Sequence, residues 1–266
     1  MNAITLSAGI AGIGLLGPGL PDWPTAAAVL AGTRPYRPAR TLLQAPAALP
    51  SAERRRAGRV IQLALAIGAE AVAHAGRDAR VLPSVFASSG GDGDNCHEIC
   101  VALAGAQRAL SPTRFHNAVH NAAAGYWSIA YGCPEASVTL CAHDGSFAAG
   151  LLEAVSQVAL SGGPVLLIAY DADYPPPLRT QRNIPDAFGV SLLLAPPNAP
   201  GATATIVVSI CQRPATRLDR PELEALRAAI PAARSLPLLE PLAAACTGTV
   251  VLDYLDHARL AVEITQ

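Results

Sequence analysis

Residues 137–154, SVTLCAHDGSFAAGLLEA, combine a short β-strand, a tight turn and an Ala-rich helix in one continuous stretch. Other parts of the chain repeat this alternation of strand and helix. The segment VLPSVFA predicts a short buried strand, which a Gly- and Asp-rich loop and the helical CHEICVALAGA follow. The segment PVLLIAYD predicts a further strand. Strands that alternate with helices are typical of layered α/β domains. The sequence therefore predicts an α/β domain with a mixed sheet.

Hydrophobic periodicity predicts the remaining elements. The best helix covers residues 49–76, with Ser51 as its cap, and SPTRF at 111–115 reads as a turn before a helical segment in which Gly125 permits close packing. Further elements are a strand at 3–15, a short helix at 25–32, two paired strands at 187–196 and 202–212, a helix at 220–230 and strand-like sequence at 248–265.

Composition excludes several kinds of chemistry. All 19 basic residues are Arg, so the chain offers no Schiff-base lysine, no attachment point for pyridoxal phosphate and no P-loop lysine, and no cofactor is expected. The net charge of −1 indicates no nucleic-acid partner. Six cysteines occur without a basic export signal and without an apolar run of about 20 residues, which predicts a cytoplasmic protein with no membrane span.

Three segments carry a family resemblance: the opening ITLSAGIAGIGLLGPG, SPTRFHNAVHNAAAGYWSIAYGC at 111–133, and the strand–turn–helix unit followed by GGPVLLIAYD. Together they resemble the N-terminal half of β-ketoacyl synthases. The motifs GPGLPDWP, LPSAERRRAG and SPTRFHNAVHNAAAGYWSI carry a narrower resemblance. Over about residues 3–210 the chain resembles short chain-length-factor-like proteins of aryl polyene and xanthomonadin-type pigment biosynthesis. The resemblance implies a thiolase-like αβα fold, with one domain over 1–266 and a C-terminal extension at 212–266.

The family's nucleophilic cysteine follows a Thr-Ala pair at the strand–helix turn. Aligning Thr139 with that threonine places Cys141 at the nucleophile, whereas aligning Ser137 and Gly150 without gaps places Ala142 there. His143, two residues after Cys141, and His116 are candidate bases for the Cys141 thiol. The alternative is that Cys141 is a small buried thiol at the end of a core strand.

Condensation in this family also requires two histidines, or a histidine and an asparagine, from the C-terminal half. The segment CTGTVV at 246–251 lacks the family's histidine, and His257 has no such context. The resemblance therefore implies a non-condensing accessory protein that binds a β-ketoacyl synthase, an acyl carrier protein or both. Two alternatives stay open: a Cys141-dependent acyltransferase or thioesterase acting on carrier-protein thioesters, and a homodimeric scaffold.

Two surfaces are candidates for these partners. The resemblance places the segment HNAVHNAAAGYW at a subunit interface, with His116, Asn117, His120, Asn121, Tyr126 and Trp127 as its candidate residues. His116 and His120 would share one face of a helix, but Asn stands where the zincin pattern has Glu, and no metal is expected. Four arginines, Arg54, Arg55, Arg56 and Arg59, form either a solvated helix start or a docking patch for an acidic carrier protein.

Overall fold

Eight strands form one mixed sheet in the computed structural model, which describes residues 6–266. The strands are β1 (Leu6–Leu16), β2 (Ser84–Ala87), β3 (Ser137–Leu140), β4 (Val165–Asp171), β5 (Phe188–Ala195), β6 (Ala204–Cys211), β7 (Gly248–Leu255) and β8 (Ala258–Thr265). Their order is β3-β2-β4-β5-β1-β6-β8-β7. Strand β2 runs parallel to β3 and β4, and the other neighbours are antiparallel.

Helices cover both faces of this sheet. They are α1 (Trp23–Leu30), α2 (Ser51–Arg56), α3 (Arg59–His74), α4 (Gly93–Ala104), α5 (Pro112–Ala118), α6 (Ala122–Tyr131), α7 (Ser146–Ser161), α8 (Leu178–Gln181), α9 (Pro221–Ala229) and α10 (Leu236–Ala243). One core cluster includes α3 and α6, and the other includes α1, α7 and α10. The predicted αβα layering is thereby confirmed. In the described part of the chain, every helix is too short or too polar to cross a bilayer.

Two glycines of β1 allow α3 to lie directly on the sheet. A Cβ atom at Gly14 would lie 2.1 Å from the carbonyl oxygen of Ile67, and one at Gly12 would lie 2.2 Å from that of Ala71. Because real Cβ atoms do not approach carbonyl oxygens so closely, these two positions require glycine while the helix stays in place. The spacing of Gly12 and Gly14 in AGIGLLG is thus explained by this backbone contact.

The same helix also supplies hydrogen-bond acceptors to β1. The pairing of β1 with β6 ends at Ile10, so the later N–H groups of β1 on that side need other acceptors. His74 Nδ1 accepts a hydrogen bond from Ile13 N at 3.1 Å, and Glu70 Oε2 accepts one from Leu15 N at 2.8 Å. Burial raises the pKa of Glu70 despite these bonds. Two polar side chains of α3 therefore supply the hydrogen-bond acceptors that a neighbouring strand would otherwise provide.

The predicted pairing of the strands at 187–196 and 202–212 is wrong, because β1 lies between β5 and β6 and pairs with both. The connection between β5 and β6 is short, which is why the sequence predicts that they pair. In the structure, the glycine-rich β1 lies between them in the sheet. Residues 3–5 of the first predicted strand lie outside the described residues.

The helix predicted over 49–76 is two helices, α2 and α3, separated at Ala57–Gly58. A Cβ atom at Gly58 would lie 2.8 Å from Asp92 Oδ2, so the chain passes this carboxylate closely where the helix breaks. The cap is also different from the prediction, because α2 begins at Ser51 itself and Pro50 occupies the N-cap position.

The turn predicted at SPTRF is the beginning of α5. Ser111 Oγ caps this helix by accepting a hydrogen bond from Arg114 N, and Pro112 occupies its first turn. Gly125 does not provide the close packing predicted for it, because a Cβ atom there would meet nothing within 4 Å. It lies on the exposed side of α6.

Residues 212–266 extend the same layers. Strand β8 pairs with β6 and carries β7 at the sheet edge, while α10 packs on the face that contains α7. A 3₁₀ turn at Pro231–Ser235 lies beside the end of β4, where Ala232 N donates to Asp171 Oδ2 at 2.9 Å. The C-terminal residues thus reach the strand–turn–helix unit from which the sequence analysis began.

Candidate functional site

The turn between β3 and α7 exposes Cys141. Its Sγ donates a hydrogen bond to the backbone carbonyl oxygen of Ser89 at 3.2 Å. A carbonyl oxygen cannot remove the thiol proton, so this contact does not produce a nucleophilic thiolate. A 3₁₀ turn at His143–Gly145 separates Cys141 from Ser146, the first residue of α7. The thiol is therefore displaced from the helix N-terminus.

His143 follows Cys141 closely in sequence, but its polar contacts lie elsewhere. Its Nε2 meets Nη1 of Arg182, and its Nδ1 lies 3.6 Å from Asp144 Oδ1. The residue has a φ of 49°, in the left-handed region that is uncommon for side chains other than glycine. The hydrogen bonds of the turn therefore do not join Cys141 and His143 as a nucleophile–base pair.

Two arginines that were not predicted from the sequence donate hydrogen bonds to the carboxylate of Asp144. Arg182 Nη2 donates to Asp144 Oδ1 at 2.6 Å, and Arg234 Nη2 donates to Oδ2 at 2.9 Å. They lie 38 and 90 residues further along the chain. The sequence around Asp144 contains no signal for these partners.

Two adjoining clefts border this turn. The larger, about 720 Å³, is lined by His143 and Asp144 from the turn and by Asp253 and His257 from the β7–β8 hairpin. His257, for which the sequence offered no context, therefore shares a cleft with His143. The smaller cleft, of about 380 Å³, is lined in part by Arg182.

Asp171 lies beneath the turn at the end of β4 and is almost fully buried. It accepts hydrogen bonds from Ser89 N at 2.9 Å, Ser89 Oγ at 2.5 Å and Ala232 N at 2.9 Å. Burial raises the pKa of Asp171 to about 6, and the three hydrogen bonds oppose this increase. Asp171 therefore joins the loop that contacts Cys141 to the C-terminal segment.

This buried carboxyl predicts a pH dependence of stability. Its ordinary pKa is 3.8, so between about pH 4 and pH 6 the folded state binds more protons than the unfolded state. The Asp171 contribution to the free energy of unfolding should fall by about 3 kcal/mol as the pH rises through this window. Urea unfolding of wild type and Asp171→Asn at pH 4, 5, 6 and 7 measures it. The wild type should lose stability relative to the variant across the series, and parallel profiles would contradict the prediction.

The predicted interface residues divide into buried and exposed groups. Tyr126 and Trp127 are each 1% exposed, and Tyr126 Oη donates to Oδ1 of the buried Asn117 at 3.1 Å. His116 and Asn121 are exposed, while His120 is half-buried. Helix α5 ends at Ala118, before His120. The prediction that His116 and His120 share one face of a helix is therefore wrong.

Apolar side chains do face solvent beside these buried residues. Phe115 is 60% exposed, Val119 45% and Ile129 47%. Strand β3, whose Val138 is 37% exposed, pairs with β2 alone among the described strands and forms the adjacent edge of the sheet. We call the exposed surface of α5 and α6 together with β3 the α5–α6 face.

Three of the four arginines of the predicted docking patch form hydrogen bonds or ion pairs within the chain. Arg54 Nη2 donates to the carbonyl oxygens of Ala47 and Leu49, both at 2.9 Å. Arg59 pairs with Asp173 at 2.8 Å, and Arg56 with Glu53 at 3.1 Å. Arg55 is exposed.

Known structures share this fold over nearly the whole chain. The ketosynthase ApeO in complex with its chain length factor ApeC from Xenorhabdus doucetiae matches at a TM-score of 0.73 and 22% identity, covering 97% of this chain and 99% of the other. The ishigamide ketosynthase/chain length factor matches at 0.69 and 16%, covering 97% and 99%. A type II PKS acyl-carrier protein in complex with its ketosynthase bound to the hexaketide (AntDE:AntF) matches at 0.72 and 11%, covering 98% and 99%.

Sequence comparison assigns the family. No curated protein matches the sequence. The family model described as beta-ketoacyl synthase, N-terminal domain, matches residues 25–243, and this range includes both the strand–turn–helix unit and the α5–α6 face. The family expected from the sequence motifs is confirmed: the chain belongs to the β-ketoacyl synthase N-terminal domain family.

Proposed function

We propose that this protein is a chain-length-factor-like subunit that binds a β-ketoacyl synthase without catalysing condensation itself, in the biosynthesis of aryl polyene or related pigments. The observation that carries the proposal is the α5–α6 face. It presents large apolar side chains next to a sheet edge, in a chain of the β-ketoacyl synthase family.

The α5–α6 face has the properties of a surface that another protein covers. Phe115, Val119 and Ile129 are exposed within 15 residues of sequence, and clustered apolar exposure marks interaction sites. An edge strand presents unpaired backbone N–H and C=O groups that a second sheet can complete. Buried Trp127 and Tyr126 support this face from inside. A partner that packs on α5 and α6 could therefore also extend the sheet beyond β3.

The contacts around Cys141 favour a role without condensation. The thiol donates to the Ser89 carbonyl, while Arg182 and Asp144 engage the ring nitrogens of His143. A working nucleophile would need a base within hydrogen-bond reach. The polar groups of the turn instead form ionic contacts, among them the contact of Asp144 with Arg234 of the C-terminal segment.

The compared structures support the same class of role. Two of them are named as ketosynthases with chain length factors, and their aligned chains are covered almost from end to end. Their identities of 22% and 16% establish a shared fold, and the pairing with a ketosynthase is our proposal for this chain.

Charge substitutions on the α5–α6 face test the proposal. Phe115→Glu and Ile129→Glu should each weaken the complex with a β-ketoacyl synthase partner by at least about 100-fold, because a charge would be buried at the interface. Leu160→Glu is the matched control, since Leu160 is 88% exposed at the end of α7. Co-purification and biolayer interferometry measure binding. Wild-type binding by both face variants would contradict the proposal, and a complex of the chain with itself alone would favour the homodimeric scaffold.

Because Cys141 is exposed, a second function is also tested: acyl transfer or thioester hydrolysis at this thiol. Under the main proposal, incubation with acyl thioesters of acyl carrier protein should leave the mass of the intact protein unchanged, in wild type and Cys141→Ala alike. Because other cysteines are also exposed, only an adduct that disappears in Cys141→Ala identifies this thiol. Such an adduct would support the acyltransferase or thioesterase.

A further inference from the structure

The segment between α1 and α2 carries three evenly spaced arginines. Its residues 34–44, which we call the strap, form neither helix nor strand. Arg34, Arg37 and Arg40 follow one another at intervals of three residues, and a proline comes directly after each of the first two. A residue before proline is restricted to extended backbone conformations. The sequence itself therefore limits the backbone freedom of these two arginines.

Hydrogen bonds hold the strap against the loop between β1 and α1. Gly19 N donates to the carbonyl oxygen of Ala39 at 2.9 Å. Tyr36 Oη donates to the carbonyl oxygen of Pro18, also at 2.9 Å. Gly19 has a φ of 69°, and a Cβ atom there would lie 2.3 Å from the carbonyl oxygen of Arg37. The strap thus passes directly over this glycine, and the space between strap and loop is preformed.

A cleft of about 400 Å³ lies between the strap and this loop, and we call it the strap cleft. Its apolar lining comes from Leu16, Leu20, Pro21 and Leu42, and all three arginines of the strap also line it. Within residues 6–266, no carboxylate lines this cleft. Small-molecule sites have volumes of this size and combine an apolar lining with a few charged or polar groups.

The strap also keeps a large apolar side chain in solvent at the cleft. Leu42 is 79% exposed, whereas the preceding Thr41 is buried. Thr41 N donates to Asp186 Oδ2 at 3.0 Å, and Thr41 Oγ1 donates to the carbonyl oxygen of Ala187 at 2.7 Å. Because these bonds fix the chain at Thr41, the side chain of Leu42 stays outside the core. Its burial by an apolar group of a ligand would be favourable.

The positive charge of the strap cleft is only partly balanced within the chain. In the part of the chain that the structure describes, the ion pairs of the strap are formed by Arg40, which lies 3.6 Å from both Asp173 and Asp186. Glu222 is close enough to help raise the pKa of Tyr36, after burial and Asp186, but it does not line the cleft. The other two arginines of the strap are therefore available to an anion from solution.

We propose that the strap cleft binds the anion of a carboxylic acid that has an apolar tail. A guanidinium can donate two parallel hydrogen bonds to a carboxylate, so Arg34 and Arg37 would hold the charged end. The side chains of Leu16, Pro21 and Leu42 would contact the tail. A small hydrated anion would leave this apolar lining uncovered. Alkyl and aryl tails satisfy the same chemistry, and the experiment distinguishes them.

This site goes beyond the proposed function and does not rest on it. The residues that line the strap cleft belong neither to the α5–α6 face nor to the two clefts at the β3–α7 turn. Failure of the ketosynthase experiment would therefore leave this proposal standing, and failure of this proposal would leave the proposed partner standing.

Titrations of the full chain at neutral pH, followed by ¹H–¹⁵N NMR, test the ligand class. The probes are octanoate and cinnamate, which share a carboxylate and differ in an alkyl or aryl tail. The wild type should bind at least one of them, with shifts concentrated in residues 16–25 and 34–44. Octanamide and cinnamamide lack the charge and acetate lacks the tail, so each should bind at least about 10-fold more weakly.

Charge-removing variants test the role of the arginines. The double variant Arg34→Gln with Arg37→Gln should weaken binding at least about 10-fold, because it removes both donors to the carboxylate. Arg77→Gln with Arg80→Gln is the matched control, since both residues are exposed arginines that follow α3. This control should bind as the wild type does. Because all four arginines are exposed, each double variant is expected to fold.

A charge on the apolar side of the cleft provides an independent test. Leu42→Glu should weaken binding at least about 10-fold, because it replaces an apolar contact of the tail with a carboxylate that repels the ligand. Leu160→Glu, at a residue that is 88% exposed on α7, is the control and should leave binding unchanged.

The outcomes separate the two tails from the existence of the site. Binding of octanoate alone would assign an alkyl tail, and binding of cinnamate alone an aryl tail; both results support the site. The proposal would be overturned if neither probe binds, or if an amide or acetate binds as tightly as the matching carboxylate probe. It would equally be overturned if the arginine double variant or Leu42→Glu binds as the wild type does.

Discussion

Gly14→Ala is expected to lower the free energy of unfolding by about 3 kcal/mol or more. The new methyl group would lie 2.1 Å from the carbonyl oxygen of Ile67 and 2.9 Å from Ala71 N, and both are backbone atoms of α3. Side chains can rotate away from such an overlap, but a helix backbone can relieve it only by moving from the sheet. Since α3 contributes Leu63, Ile67 and neighbouring residues to one of the two core clusters, this movement would open the core.

Gly125→Ala provides the control for this result. Its new methyl group would meet no atom within 4 Å, and alanine favours a helix more than glycine, so stability should rise by about 0.5–1 kcal/mol. Urea unfolding of the isolated chain compares the two variants with wild type. A Gly14→Ala protein within about 0.5 kcal/mol of wild type would contradict the close backbone contact between β1 and α3.

Arg227→Met should destabilise the chain by about 3 kcal/mol at neutral pH. Only 7% of the Arg227 side chain is exposed, and its guanidinium donates to both oxygens of Glu224, at 2.7 and 2.8 Å, and to Asp253 at 2.8 Å. Methionine retains much of the volume but leaves the two half-buried carboxylates without this partner. Exposed arginines nearby, such as Arg217, replace only part of the lost interaction.

The effect of Arg227→Met should depend on pH. Hydrogen bonds, first of all from Arg227 and then from Leu218 N and Arg217, lower the pKa of Glu224 from 4.5 to about 2. Because the folded pKa is depressed, this stabilisation is present above pH 4.5 and disappears as the pH falls towards 2. Thermal unfolding of wild type and variant between pH 3 and 7 should show a difference that narrows below pH 4.5. Arg217→Met, at a residue 75% exposed, is the control and should change stability little at any pH.

Local sequence patterns predicted the layers of the fold but not its strand order. The strand–turn–helix unit and β4 follow from short-range hydrophobic patterns. The position of β1 between β5 and β6 depends on contacts across the whole chain, and its glycines gain their meaning only when α3 lies against them. Gly58, at the break between α2 and α3, likewise lies against the carboxylate of Asp92, which is distant in sequence.

Local patterns also predicted only part of the site. They located Cys141 and His143 at a turn, because a strand and an Ala-rich helix enclose them. They could not find Arg182, Arg234 or His257, which reach the turn from distant segments and have no spacing relation to it. The ion pair of Glu224 and Arg227 is different, since its i, i+3 spacing in the predicted helix at 220–230 was readable from the sequence.

Hydrogen–deuterium exchange of this protein, alone and in complex with the proposed ketosynthase partner, tests the central claim most directly. We predict slower exchange of backbone amides in residues 112–131 and 137–140 on complex formation, with little change in the exposed end of α7 around Leu160. A stable complex that leaves both predicted segments unchanged would contradict the α5–α6 face as the binding surface. Failure to form any complex would contradict the proposed partner itself.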